Sequence, residues 1–219
     1  MLRLSFVTGT EPGKWFTRFR DRTAHGRMVT TDSEDPIADL LDARADLALA
    51  RLPDPRVTAD HHVVELYREA PGIAVPKDSE LTLLDRVTPS DIEGEAVHWR
   101  TPADGVVDVP AVRAGLQVVA ANVGVVIAPR PLLRVLSRKQ VEHRDFAGDG
   151  PDTRIALVWG RSGDSEAIQD FVGIARGRTP NSSRQAVPKR TAREKSLAKQ
   201  KRRAEAGGVK KQTKRTRRK

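Results

Sequence analysis

Cysteine is absent from the 219 residues, so neither a disulfide nor a thiolate-ligated metal can hold this chain together. A metal site would fall to carboxylates and the five histidines, of which only His61 and His62 are adjacent, pointing in different directions; no metal and no cofactor is expected. Aromatic residues make up only 4% of the chain and recur at no fixed period, which excludes an aromatic-marked repeat array. No apolar run approaches the roughly 20 residues that span a bilayer. Met1-Leu2-Arg3-Leu4-Ser5 lacks a charged leader followed by a cleavable apolar segment, so the expectation is a cytoplasmic protein with no membrane partner. Enzymatic signatures are missing too. Ser162-Gly163-Asp164 is not a nucleophile elbow, and Gly9 and Gly13 do not form a phosphate loop with its following Lys-Ser/Thr, so the chain is not expected to be an enzyme.

What the chain does have is a split of charge. Residues 176 to 219 carry 18 Lys/Arg against Glu194 and Glu205, a net of +16, while residues 1 to 175 carry 21 basic and 27 acidic groups, a net of −6. An acidic body of ordinary domain size is therefore followed by a polycationic arm, predicted to be disordered because Leu197 and Val209 give it almost nothing to bury. Lys189, Arg190, Lys199, Lys201, Arg202, Arg203, Lys210, Lys211, Lys214 and Arg215 are the candidate nucleic-acid contacts. With no aromatic in the arm, contact is to phosphate and tolerant of sequence, with association at the nucleoid as the expectation.

In the body, apolar stretches alternate with helical patterns. Leu2 to Val7 reads as a strand, a turn follows at Thr8 to Gly13, and Trp15, Phe16 and Phe19 share a helix face. A strand near Met28 to Thr30 precedes a helix opening at Pro36, then a buried strand at Asp46 to Ala50 and extended stretches at Val63 to Tyr67 and Gly72 to Val75. Thr88-Pro89-Ser90-Asp91 has the grammar of a helix start. Ala96 to Trp99 is a candidate strand, Pro110 to Asn122 a helix, Val123 to Ala128 a buried strand, Pro131 to Leu136 a helix and Arg154 to Trp159 a strand; a final helix is capped by Asp164 or Ser165. Such alternation predicts an α/β fold.

Several stretches resemble, in order, the effector-binding domain of LysR-type transcriptional regulators: Leu2-Arg3-Leu4-Ser5-Phe6-Val7; Leu40-Leu41-Asp42-Ala43-Arg44-Ala45-Asp46-Leu47-Ala48-Leu49; Glu65-Leu66-Tyr67 leading to Val75-Pro76-Lys77-Asp78; Val118 to Pro129; and Ile155 to Trp159. The similarity covers roughly residues 2 to 176 and lacks the family's helix-turn-helix ahead of it; Asn122 stands where the family usually has Gly. The resemblance implies a two-lobed fold of type 2 periplasmic-binding-protein kind with two hinge crossovers. Residues 1–177 would form the domain, with one lobe from about 1–70 and 154–177 and the other from 71–153, followed by the tail 178–219. It also implies a ligand cleft between the lobes, and side-by-side homodimers by analogy.

Loop hydroxyls and helix N-terminal amides suit a small anion, which makes Thr8, Thr10 and Lys14 candidates on one lobe, Arg100, Thr101 and Asn122 on the other, and Arg51 a further cation near a strand end. The expected function is that of a regulatory protein binding a small anionic metabolite, with the tail supplying non-specific nucleic-acid affinity. The alternative is a nucleic-acid or ribonucleoprotein accessory that keeps the binding fold as a ligand-less scaffold.

Overall fold

A computed structural model describes residues 1–25 and 27–178; the arm residues proposed to contact nucleic acid lie outside the described residues. The elements are β1 (Leu2–Val7), α1 (Gly13–Arg22), β2 (Met28–Ser33), α2 (Pro36–Leu41), β3 (Leu47–Leu52), β4 (His61–Arg68), β5 (Pro71–Pro76), β6 (Arg86–Val87), β7 (Val97–Arg100), α3 (Val109–Ala120), β8 (Val125–Pro129), α4 (Arg130–Leu136), β9 (Val141–Phe146), β10 (Arg154–Gly160) and α5 (Glu166–Ala175). Short 3-10 turns at Glu80–Leu83 and Pro89–Ile92 link β5 to β7 around β6.

The strands form two five-stranded sheets, ordered β2-β1-β3-β10-β4 and β6-β9-β5-β8-β7. In the first, β1 runs parallel to β2 and β3, and β10 is antiparallel to β3 and β4. In the second, β5 is antiparallel to β8 and β9, with β7 and β6 added parallel at the edges. The chain passes between sheets twice, through Glu69-Ala70 after β4 and through residues 147–153 after β9, so each sheet with its helices makes a lobe and the two crossovers make a hinge.

Burial explains why β3 reads as a continuous apolar run. Leu47 and Leu49 face the layer of α1 and α5, with Phe19, Ile168 and Phe171, while Ala48, Ala50 and Leu52 face Ile37 of α2. A strand covered on both faces needs apolar residues at every position rather than at alternate ones. β3 extends to Leu52, two residues past the stretch legible in sequence, and alternation sets Arg51 on the Leu47–Leu49 side. In the second lobe Val112, Leu116 and Val119 of α3 and Leu132 and Leu133 of α4 pack on Ala74, Val126 and Ala128, and Ile73, Val75 and Ile127 face Val87, Ile92 and Phe146 on the other side.

The helices start where capping chemistry directs. Asp35 accepts from the Ala38 amide at 3.0 Å, Asp108 from Ala111 at 2.9 Å and Ser165 from Ile168 at 3.4 Å. Each such cap is worth about 1 kcal/mol. Pro36 and Pro110 occupy first-turn positions, where a missing N–H costs nothing. Of the two candidates to cap α5, it is Ser165; Asp164 instead accepts from Trp159 Nε1 at 3.2 Å and Gln169 Nε2 at 2.9 Å.

Candidate functional site

In both lobes the parallel strands point their carboxyl ends at the crevice between the sheets, and α1 through α4 begin there. This is the place where an open α/β sheet offers ligands backbone amides and loop side chains. Across the crevice the backbones touch. Gly9, in the left-handed region at φ 98°, lies so near α4 that a Cβ there would sit 3.0 Å from Leu132 Cα and 3.2 Å from its amide nitrogen. Only glycine combines that φ with that approach.

Behind this contact lies the pair formed by Arg51 of β3 and Glu69 of the first crossover, with Nε to Oε2 at 2.6 Å and Nη2 to Oε1 at 3.1 Å. Arg51 Nη2 also donates to the Thr8 carbonyl at 3.3 Å. The pair ties the end of β3, the loop after β1 and the hinge into one knot, and space remains on either side of it.

One recess, of about 540 Å³, is lined by Gly9 and Glu11 of the first lobe, Tyr67 and Ala70 near the hinge, and Arg130, Pro131, Arg134 and His143 of the second lobe. Arg130 bonds Asp145 at 2.5 Å and Arg134 approaches Glu11 across the crevice at 3.9 Å. Burial, reinforced by Arg130, holds His143 below the ordinary imidazole range, and burial with Glu69 pushes the Tyr67 phenol up to about 12, so the phenol stays protonated at neutral pH. A second recess, of about 390 Å³, lies toward α2 and the start of α3; Glu34, Asp35, Asp54 and Asp108 line it with Arg51 and Arg56. There Arg56 is held by Asp35 at 2.7 Å and Asp54 at 2.6 Å, and Arg113 of α3 reaches across to Glu34.

The residues singled out from sequence divide into groups. Thr8 and Thr10 stand at the crevice, but their hydroxyls are turned inward: Thr8 Oγ1 donates to Asp32 at 2.7 Å and Thr10 Oγ1 to the Val7 carbonyl at 2.8 Å. Arg51 lies at the crevice floor, its guanidinium engaged by Glu69. Arg100 and Thr101 line a narrow pocket of about 30 Å³ with Glu69 and Thr153, beside the second crossover. Lys14 is exposed on the first turn of α1. Asn122 is placed elsewhere, after the C-terminus of α3, with φ 66° and its amide bonded to the Val119 carbonyl at 3.0 Å. It ends a helix whose opposite end meets the crevice, and this left-handed position accounts for a Gly-like requirement there.

Sequence reasoning missed Arg130, Arg134, His143 and Tyr67. The signal available was the strand end Val126-Ile127-Ala128-Pro129 followed at once by a helix carrying two arginines, since a cation there must face the crevice. His143 carried no such signal, because its strand was not recognised.

A family model described as the LysR substrate binding domain matches residues 15–180. The chain belongs to that family. Solved structures of LysR-type domains share its fold. The effector-binding domain of QuiR in complex with shikimate superposes with a TM-score of 0.59 at 15% identity, over 80% of this chain and 94% of that one. The reduced form of OxyR from N. meningitidis gives a TM-score of 0.57 at 16% identity, over 80% and 93%. A LysR-family transcriptional regulator from Pseudomonas aeruginosa gives 0.58 at 15% identity, over 80% and 71%. The LysR-type body is therefore an effector-binding regulatory domain built on two lobes. Among the described residues, no helix is long and apolar enough to cross a membrane and no cluster of three or more His, Asp or Glu could hold a metal ion.

Proposed function

We propose that this LysR-type domain senses a small anionic metabolite bound between its lobes. The observation that carries it is the 540 Å³ recess, to which both lobes and the hinge contribute and whose lining brings Arg130, Arg134 and His143 together with Glu11 as the one lining carboxylate among the described residues, Asp145 pairing Arg130 from behind. A ligand gripped by groups from both lobes binds the closed arrangement better than the open one, and that difference in affinity is what converts occupancy into a change of shape. The QuiR domain, a fold neighbour, holds shikimate, a carboxylate of a size such a recess accommodates. Arg51, Thr101 and Arg100 would act from the crevice floor and the second crossover, positioning the hinge around the ligand, and Thr8 and Thr10, whose amides are bonded to the Ser33 and Val7 carbonyls, would shape the loop after β1. The protein acts in the cytoplasm, as a binding protein rather than an enzyme.

The arm, with 18 basic residues among residues 176 to 219, adds non-specific affinity for nucleic acid. Labelled duplex DNA and structured RNA titrated with the full chain and with a version ending at Arg178 test this over a salt series. Binding should vanish on truncation, and on duplex DNA its logarithm should fall with log salt at a slope of about −0.9 per neutralised phosphate.

A second reading is favoured by the inward hydroxyls of Thr8 and Thr10 and by the occupied guanidinium of Arg51: the fold serves as a scaffold for a nucleic-acid-binding arm and binds no effector. Melting of the full chain with shikimate, other hydroxy- and dicarboxylates and phosphate separates the two. A ligand present at a hundred times its Kd stabilises by about 2.7 kcal/mol, a shift of several degrees. No shift across the panel supports the scaffold.

A further inference from the structure

We propose that His143 is the switchable third cation of the anion recess, so that the site takes up one proton together with its ligand and thereby selects for more highly charged anions. The inference rests on the sensing function proposed above and assigns a specificity-determining residue to it. The permanent charges around the recess already come in pairs. Arg130 is answered by Asp145 at 2.5 Å and Arg134 by Glu11 at 3.9 Å, so an incoming anion brings charge for which no permanent cation is left over. His143 lines the same recess on β9, where it shares the floor with both arginines, and of the lining groups only an imidazole changes charge near neutral pH.

Its surroundings set the sign of the linkage. Arg130 and Arg134 of α4 face it, Glu142 and Arg144 flank it on its own strand, Glu11 and the neutral Tyr67 phenol lie across the recess, and Asp145 stands behind Arg130. Burial first, and then Arg130, disfavour the charged form of the imidazole in the empty site. Lowered in this way, His143 makes the unliganded protein less stable as pH falls below the ordinary imidazole value, because the unfolded chain then binds a proton that the folded one refuses. An anion beside it reverses that preference. Binding therefore draws in a proton, and affinity rises as pH falls.

Sodium sulfate is a suitable probe, since its own charge does not change over the range and any pH dependence belongs to the protein. Its dissociation constant would be measured on the full chain at constant ionic strength near pH 8, 7 and 6, with one fully coupled proton worth at most about tenfold per pH unit. The expected result is a clear tightening toward pH 6 in the wild type, reduced to less than about twofold overall in His143→Gln. An NMR titration of the His143 ring with and without sulfate gives the same linkage without any substitution, and its midpoint should rise when sulfate is present. Sulfate bound equally well at every pH, or pH dependence retained in His143→Gln, would overturn the role of His143 and leave anion sensing standing. Absence of sulfate binding at all three pH values would overturn the role of His143, and only together with no melting shift across the carboxylate and phosphate panel would it overturn anion sensing.

Discussion

Arg51 and Glu69 meet in a two-point ion pair whose side chains are 5% and 0% exposed, joining the end of a first-lobe strand to the first segment of the hinge. Two charges withdrawn from water this completely repay the cost only while both are present, because the loss of either leaves the other buried without a counterion. The pair also explains why the two lobes sit close enough for Gly9 to touch α4: the guanidinium that would otherwise demand water is satisfied from the hinge and from the Thr8 carbonyl.

Glu69→Ala should accordingly lower stability by about 3–5 kcal/mol. Arg51→Met combined with Glu69→Leu, which removes both charges and keeps volume, should recover most of that loss. Urea unfolding of the two variants and the wild type checks this, and equal losses in single and double variants would show that packing rather than charge is at stake.

The contact between Arg113 and Glu34 also bridges the lobes, yet both side chains are more than 40% exposed. Solvent screens such a pair, and Arg113→Ala should cost no more than about 1 kcal/mol. Its effect should appear instead in the distribution of lobe separations read by small-angle scattering, which should broaden. A loss above about 2 kcal/mol in urea unfolding would mean that this contact is part of the structural core.

Asn122 should be replaceable by Gly with a gain of at most about 0.5–1 kcal/mol, since Gly enters φ 66° freely while Asn, the most tolerant of the residues with a Cβ, does so at a small cost. Asn122→Val, β-branched in the same conformation, should cost about 1–2 kcal/mol. Thermal melting distinguishes these directions, and ligand affinity should be unchanged in both if the residue only ends α3.

Carboxylates set the acid limit. Hydrogen bonds from Arg56 hold Asp35 below the ordinary range, and the Gln169 amide with Trp159 does the same for Asp164. A group with a lowered folded value contributes stability that is present above its ordinary pKa and lost as pH drops through the folded one. The urea midpoint attributable to these groups should hold down to about pH 4 and then fall. Asp35→Asn and Asp164→Asn should each flatten part of that fall, and a wild-type midpoint constant from pH 7 to 3 would contradict it.

Most of the fold was legible because the sequence punctuates it locally. Pro36, Pro110 and the Thr88–Asp91 capping box mark helix starts, and runs such as Val125 to Ala128 and Ile155 to Trp159 are buried on both faces. β9 was not legible. Between buried Val141 and Phe146 it carries Glu142, His143, Arg144 and Asp145, which read as loop, and only pairing with β5 and β6 makes them a strand. Recognising that strand would have set His143 beside a helix bearing Arg130 and Arg134. The inward turn of the Thr8 and Thr10 hydroxyls was equally hidden, since nothing local says whether a loop hydroxyl will meet a ligand or, as here, Asp32 and the Val7 carbonyl.

Isothermal titration of the full chain and of Arg134→Ala, at the pH of tightest binding and with whichever carboxylate or phosphate raises the melting temperature most, goes to the centre of the proposal. Arg134 is surface-exposed, so the variant should fold normally, and the loss of one charge-assisted contact should weaken binding by about tenfold or more. Unchanged affinity in that variant would place the ligand elsewhere and contradict the assignment of this recess as the effector site.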